Sequence, residues 1–373
     1  MPSMPAAPEY VSRIAPYQAG KPIGELAREY GLQPERIVKL ASNENPLGMP
    51  GSALAAMQAA VGELGRYPDS NGFELKAAIS ARYDVPADWI TLGNGSNDVL
   101  ELVAHAFLQK GAAAVYSRHA FAVYALATQA TGARHIVVPA TAYLGHDLDA
   151  MAAAVDADTR VVFVANPNNP TGTFHPASAL EAFIDRVPSD VVVVIDEAYN
   201  EYLEPSLRFD STRWVRRHPN VVVSRTFSKA YGLAGLRVGF AIASAAVTDL
   251  LNRVRQPFNV NSLAQAAAIA ALGDDAFLER SYALNRDGLR RLQSAFDAMG
   301  LPYVPSHGNF VLVKVGDAAA VYDALLHRGV IVRPVANYGL PEWLRISVGL
   351  PEENERFLAA LGEVLARVPA AVR

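Results

Sequence analysis

The chain contains no cysteine, which removes disulfides, thiolate metal sites and a cysteine nucleophile together. It has no apolar run approaching the roughly 20 residues that span a bilayer. Runs such as 191–195 have the length of a buried strand. Residues 1–20 lack a basic segment followed by an apolar core, so no secretory leader is expected. The eight histidines are scattered, the nearest two being His135 and His146, and no HExxH or similar ligand spacing occurs. A metal centre is therefore not expected. A net charge of −4 and a pI near 6.1 leave no basic footprint for nucleic acid or an anionic membrane. These absences fit a cytoplasmic protein that works on small molecules.

What is present describes an ordered chain: 373 residues, 51% hydrophobic and 19% charged, long enough for two domains. Residues 1–36 read as an N-terminal arm, with an amphipathic helix over 23–30 that Gly31 ends. Between 90 and 243 short Val-rich strands (159–165, 190–195, 220–223) alternate with helical segments. Uninterrupted β-branched runs joined by helices mark an α/β layer, a mostly parallel sheet flanked by helices on both faces. After 243 the pattern changes to long helices and short strands, a smaller α+β C-terminal domain. The expected division is 48–254 for the large domain and 37–47 with 255–373 for the small one.

Ligands of such sheets sit beyond the strands' carboxyl ends. The polar clusters of this chain fall there. Gly93-Asn94-Gly95-Ser96-Asn97 follows a strand and opens a helix, an arrangement whose free amides suit an anion. Asn166-Pro167-Asn168-Asn169-Pro170-Thr171-Gly172 follows the 159–165 strand, and Asp196-Glu197-Ala198-Tyr199 follows the next. A carboxylate at a buried strand end is costly unless it meets a cation or a donor. The stretch 224–240, SRTFSKAYGLAGLRVGF, begins where the apolar run 221–223 stops. It supplies the hydroxyls of Thr226 and Ser228, the amine of Lys229 and, eight residues on, Arg237. A lysine can hold a carbonyl cofactor as a Schiff base, while hydroxyls and a guanidinium hold a phosphate. Two further arginines, Arg333 and Arg345, lie on short strands of the second domain, where a guanidinium fork can clamp a carboxylate or phosphate.

In this order the four motifs resemble the pyridoxal-phosphate aminotransferases of the aspartate aminotransferase fold, and the resemblance covers essentially the whole chain. Ala15-Pro16-Tyr17, Leu40 to Pro46, Arg66-Tyr67-Pro68-Asp69 and Ser306 to Phe310 are similar to the histidinol-phosphate branch. That branch often carries Pro-Thr-Tyr where this chain has His119-Ala120-Phe121.

The resemblance implies roles. Lys229 would bind the cofactor covalently and move the substrate proton. Asp196 would pair with the protonated pyridine nitrogen, Tyr199 and Asn169 would bond the ring oxygen, and Phe121 would stack on the ring. Ser96, Asn97, Thr226, Ser228 and Arg237 would hold the phosphate, joined by Tyr67 from the partner of a homodimer. Arg345 and Arg333 would grip the anionic end of the substrate, with Tyr17 and Asn43 closing over it. The implied reaction exchanges an amino group between glutamate and imidazole-acetol phosphate, a step of histidine biosynthesis. Three alternatives stay open at this point: an aromatic amino acid aminotransferase, a decarboxylase on the same scaffold, and a cofactor-binding regulatory domain that acts on DNA. Arg345 argues against decarboxylation, which must leave the carboxylate loosely held. Residues 1–22, with only Arg13 and Lys21 as basic groups, argue against DNA.

Overall fold

A computed structural model describes residues 6–16 and 20–367. Thirteen strands occur among them: β1 (Val38–Lys39), β2 (Ile90–Gly93), β3 (Ala113–Ser117), β4 (Arg134–Val138), β5 (Thr159–Ala165), β6 (Val192–Asp196), β7 (Val221–Thr226), β8 (Gly239–Ala243), β9 (Tyr303–Val304), β10 (Phe310–Lys314), β11 (Val330–Ile331), β12 (Arg333–Pro334) and β13 (Trp343–Ser347).

Seven of them form one sheet in the order β2-β8-β7-β6-β5-β3-β4, parallel except for β8. The Val-rich runs make this sheet because successive side chains leave a strand on opposite faces and both faces are covered. On β5, Val162 and Val164 enter the core on one face, while Val161, Phe163 and Ala165 enter the core on the other. Each buried side chain of this size contributes about 1.5–3 kcal/mol relative to exposure. Two details differ from expectation. Strand β7 runs three residues past its apolar stretch, because Ser224, Arg225 and Thr226 pair with Ala241, Phe240 and Gly239. Strand β8 itself lies partly inside the 224–240 motif, where the eye is drawn to the lysine rather than to a strand.

The second layer is a four-stranded sheet, β12-β13-β10-β9, packed against the helices Asp275–Ala298, Ala318–Leu326 and Pro351–Arg367. Strand β1 pairs in parallel with β11 as a separate two-stranded sheet, and Val38 and Leu40 enter the core of the small layer. The helix Ile23–Tyr30 ends on Gly31 in the left-handed region (φ 66°) and buries Leu26 and Ala27 against Leu326 and Ile331. The helix Ser262–Leu272 departs from the expected division. Its alanine face, with Ala264, Ala267 and Ala268, is buried in the core of the large sheet. Small side chains let this helix sit close to the helix Gly51–Ala60, and nothing in an alanine-rich run signals which layer it joins. No helix among the described residues is long and apolar enough to cross a membrane.

Candidate active site

A cavity of about 270 Å³ lies at the carboxyl ends of β2, β3, β5, β6 and β7, roofed by residues of the small layer. It is lined by Ser96, Asn97, Phe121, Asn169, Asp196, Tyr199, Thr226, Ser228, Lys229 and Arg237 from the large layer, and by Asn43, Arg333 and Arg345. The two layers thus bring thirteen of the fifteen predicted side chains to one place. Tyr67 lines no part of its own chain's cavity; it is 82% exposed and stacks on Phe258 with ring centroids 4.6 Å apart. Tyr17 lies outside the described residues.

Lys229 follows β7 and reaches the cavity with its Nζ donating to the Ser42 carbonyl at 3.1 Å. Burial, aided by the positive charges of Arg345 and Arg237, brings its amine down to about 8 from the usual 10.5. A usable fraction is therefore neutral, and nucleophilic, near physiological pH. Asp196 closes β6 with one oxygen accepting from the Tyr124 hydroxyl at 2.8 Å. Its other oxygen, Oδ1, is buried with no hydrogen-bond partner. Burial raises this carboxyl to about 6, with the neighbouring Glu197 adding to the rise and Tyr124 opposing it. A buried carboxylate oxygen without a donor is costly, and a cationic N–H is the group that satisfies it.

Asn43 sits in the left-handed region (φ 55°) and donates from its amide to the Tyr199 hydroxyl at 3.0 Å. Burial pushes that phenol up to about 12, so it stays protonated and can donate. The Asn43 side-chain oxygen Oδ1 accepts from the Ser347 hydroxyl at 2.8 Å, tying the 37–47 segment to β13. Arg345 donates to Asn169 Oδ1 at 2.6 Å and to the Ala41 carbonyl at 2.7 Å. With Oδ1 engaged, the amide nitrogen of Asn169 is the end left to donate. The Arg345 guanidinium also lies over the Phe310 ring, 5.3 Å from its centroid.

At the other end of the cavity the helix Ser96–Phe107 starts on Gly95, whose φ of 83° leaves the first amides exposed to a ligand. Arg237, also left-handed at φ 58°, folds its guanidinium onto this turn and donates to Ser228 Oγ at 3.4 Å. The approach is close. A Cβ on Gly95 would stand 2.3 Å from Arg237 Nη2, and one on Gly239 would stand 2.5 Å from the Ser96 amide. Thr226 Oγ1 accepts from the Ser228 amide at 3.1 Å. Amides, two hydroxyls and a guanidinium converging at a helix start fit a phosphate dianion. The unpaired Asp196 oxygen fits a protonated ring nitrogen at the opposite end, and the lysine lies between. Taken together, this donor set matches pyridoxal phosphate.

The sequence matches the family model described as aminotransferase class I and II over residues 35–361. The chain belongs to this family. The aminotransferase is 66% identical over 366 residues to histidinol-phosphate aminotransferase 1 of Cupriavidus pinatubonensis, covering 97% of each chain. It is 65% identical over 373 residues to histidinol-phosphate aminotransferase 2 of Ralstonia nicotianae, covering 99% of this chain and 100% of that one. The solved structure of histidinol-phosphate aminotransferase from Sinorhizobium meliloti in complex with pyridoxal-5'-phosphate matches with a TM-score of 0.90 at 29% identity, over 98% of this chain and 99% of that one.

Sequence reasoning passed over two side chains of the aminotransferase site. Tyr124 lies one helical turn after Phe121, and its ring is stacked on Phe163 at 4.8 Å, which aims the hydroxyl at Asp196. Tyr338, buried on a turn of the small layer, lines the same cavity. Tyr124 had a local signal, its spacing from Phe121. Tyr338 had none beyond lying between two arginine-bearing strands.

Proposed function

We propose that this aminotransferase uses pyridoxal phosphate to exchange an amino group between glutamate and imidazole-acetol phosphate, giving 2-oxoglutarate and L-histidinol phosphate. The observation that carries this reading is the pairing of a half-buried lysine with two buried arginines in a single cavity, in a chain whose relatives at 65–66% identity are histidinol-phosphate aminotransferases. When bound, the cofactor supplies an electron-withdrawing pyridine ring and a carbonyl carbon that accepts the amino group.

The chain's own residues do the rest. Lys229 anchors the cofactor and, once released, its neutral amine takes the proton from the substrate Cα. Asp196, held ionised by Tyr124, keeps the ring nitrogen protonated. Tyr199 and the Asn169 amide donate to the ring oxygen, and Phe121 packs on the ring. Ser96, Asn97, Thr226, Ser228 and Arg237 hold the phosphate. Arg345 and Arg333 receive the anionic end of the substrate, carboxylate in one half-reaction and phosphate in the other; two guanidinium groups suit a dianion. Asn43 closes the substrate side. Because both substrates use the same arginines, glutamate leaves before the keto substrate enters, a ping-pong order.

The same reading includes a homodimer and a cytoplasmic location, where the free amino-acid pool is held. Tyr67 is exposed and stacks on Phe258, itself exposed, and the nearby chain positions Val61, Leu64 and Phe73 are exposed as well, apolar side chains of the kind that an interface covers. In the dimer Tyr67 reaches the partner's phosphate site.

The cofactor part of this reading is tested by absorbance. Purified enzyme supplied with pyridoxal phosphate shows a visible band from the covalent linkage, and Lys229→Ala removes it. An identical spectrum in the variant would overturn the assignment.

A further inference from the structure

Asp196 is followed by a second buried acid, Glu197, that the mechanism does not use. Alternation along the chain sends the two carboxylates to opposite sides of the sheet end: Asp196 lines the cavity and Glu197 does not. The same alternation operates on the adjacent strand, where Thr226 lines the cavity and Arg225, one residue earlier, points behind it. Behind the sheet the two meet. Arg225 Nη2 donates to Glu197 Oε2 at 2.5 Å, and Nη1 donates to Glu201 Oε1 at 3.2 Å. Ser211 Oγ donates to the same Glu197 oxygen at 2.9 Å, and the guanidinium lies 4.9 Å from the centroid of the Tyr83 ring. The three charged side chains are 7–13% exposed. A buried ion cluster of this kind is weak as a stabilising device, since apolar side chains of equal volume serve a fold as well. Its place, one residue from Asp196 and one from Thr226, gives it another use.

We propose that Glu197 and Arg225 are positioning residues of the cofactor site: Arg225 ties together the two strand ends that present Asp196 and Thr226, and by cancelling the charge of Glu197 it keeps the Asp196 carboxylate ionised for the ring nitrogen. This rests on the reading that Asp196 meets a protonated pyridine. The titratable groups that face Asp196 are few. Tyr124 donates to it from the helix Ala122–Ala130, Glu197 adjoins it, and Tyr199 and Lys229 act on it from the turn after β6 and the loop after β7. Glu201 is bound to the same arginine but makes no hydrogen bond or ion pair with Asp196. The two glutamates therefore differ in what they do to the cofactor while sharing one structural partner.

The test is pyridoxal phosphate binding to the full-length chain by equilibrium dialysis from pH 5 to 8.5, with thermal unfolding measured in parallel. Glu197→Gln removes the like charge beside Asp196 and leaves Arg225 paired with Glu201, so the pH at which binding is half lost on the acid side falls by about half a unit or more. Arg225→Gln exposes Asp196 to Glu197 and moves the midpoint up by a similar amount. Glu201→Gln leaves the midpoint where it is, whatever it does to the melting temperature. If Arg225→Gln does not fold, the contrast between the two glutamine variants decides alone. Equal midpoints for Glu197→Gln and Glu201→Gln, in an enzyme that binds the cofactor, would overturn the inference. A wild-type chain that does not bind pyridoxal phosphate would instead overturn the cofactor reading beneath it.

Discussion

Tyr124 has the clearest consequence for a single residue. Its hydroxyl does the most to hold Asp196 toward its ionised form against burial, with smaller help from the Ser224 hydroxyl and the Ala198 amide. Asp196 titrates near 6 rather than at 3.8, so the form that serves a protonated ring is present above that value and fades as pH falls through it. For the fold without ligand the sign is opposite. The raised carboxyl contributes stability that is fully present below the ordinary value and is lost as pH rises through about 6. A cationic ligand removes that cost. Tyr124→Phe deletes a charge-assisted bond of about 1.5–3 kcal/mol, so cofactor affinity at pH 7 is expected to fall about tenfold or more. The acid-side midpoint of binding should also move to higher pH. A fluorescence titration of the cofactor across pH measures both, and an unmoved midpoint would contradict the assignment. The residue at each strand end was legible in the sequence because a polar cluster after an apolar run stands out. The partner of Asp196 was not, since Tyr124 is 72 positions away and reads locally as part of an apolar helix.

At the scale of elements, the site is a product of parallel strands that all end on one side. Four strand ends deliver polar groups to one cavity, and a fifth delivers Phe121, because parallel pairing aligns their carboxyl termini. That much followed from the Val-rich runs and the turns after them. What could not be read was where each run stops. Strand β7 continues through Ser224, Arg225 and Thr226 because β8 offers it partners, a long-range pairing without a local signature. That extension is what brings Arg225 behind the cavity.

The turn before the helix at Ser96 makes an equally specific demand. Gly95→Ala places a Cβ 2.3 Å from the Arg237 guanidinium at a φ of 83°, so the phosphate cradle must open. Cofactor affinity is expected to fall about tenfold or more, through loss of charge-assisted contacts, while the melting temperature drops by only a few degrees. Calorimetric unfolding and a cofactor titration separate the two effects. Unchanged affinity would mean that the turn does not hold the phosphate.

At the scale of the whole molecule, two layers share the site. The large layer holds every group assigned to the cofactor, and the small layer with the 37–47 segment brings Arg333, Arg345 and Asn43 over it. Ser347 and Asn309 bind Asn43 through its side chain and carbonyl, so the roof is tied to β13 and β10 rather than left as an independent loop. The helix Ser262–Leu272 shows where sequence reasoning reached its limit at this scale: its alanines suit close packing against either layer. The homodimer carries its own prediction. Sedimentation should give twice the 40.0 kDa chain mass. Tyr67→Ala should weaken cofactor retention even though Tyr67 lies outside its own chain's cavity. A monomer with full cofactor affinity would contradict the shared site.

The substrate is decided by the arginines. Two guanidinium groups over one cavity are matched to a dianionic end group, which histidinol phosphate carries and phenylalanine lacks. The most direct measurement is therefore kcat/KM for L-histidinol phosphate against that for L-phenylalanine, each with 2-oxoglutarate as the amino acceptor. The account predicts a clear preference for L-histidinol phosphate; a preference for phenylalanine would contradict it.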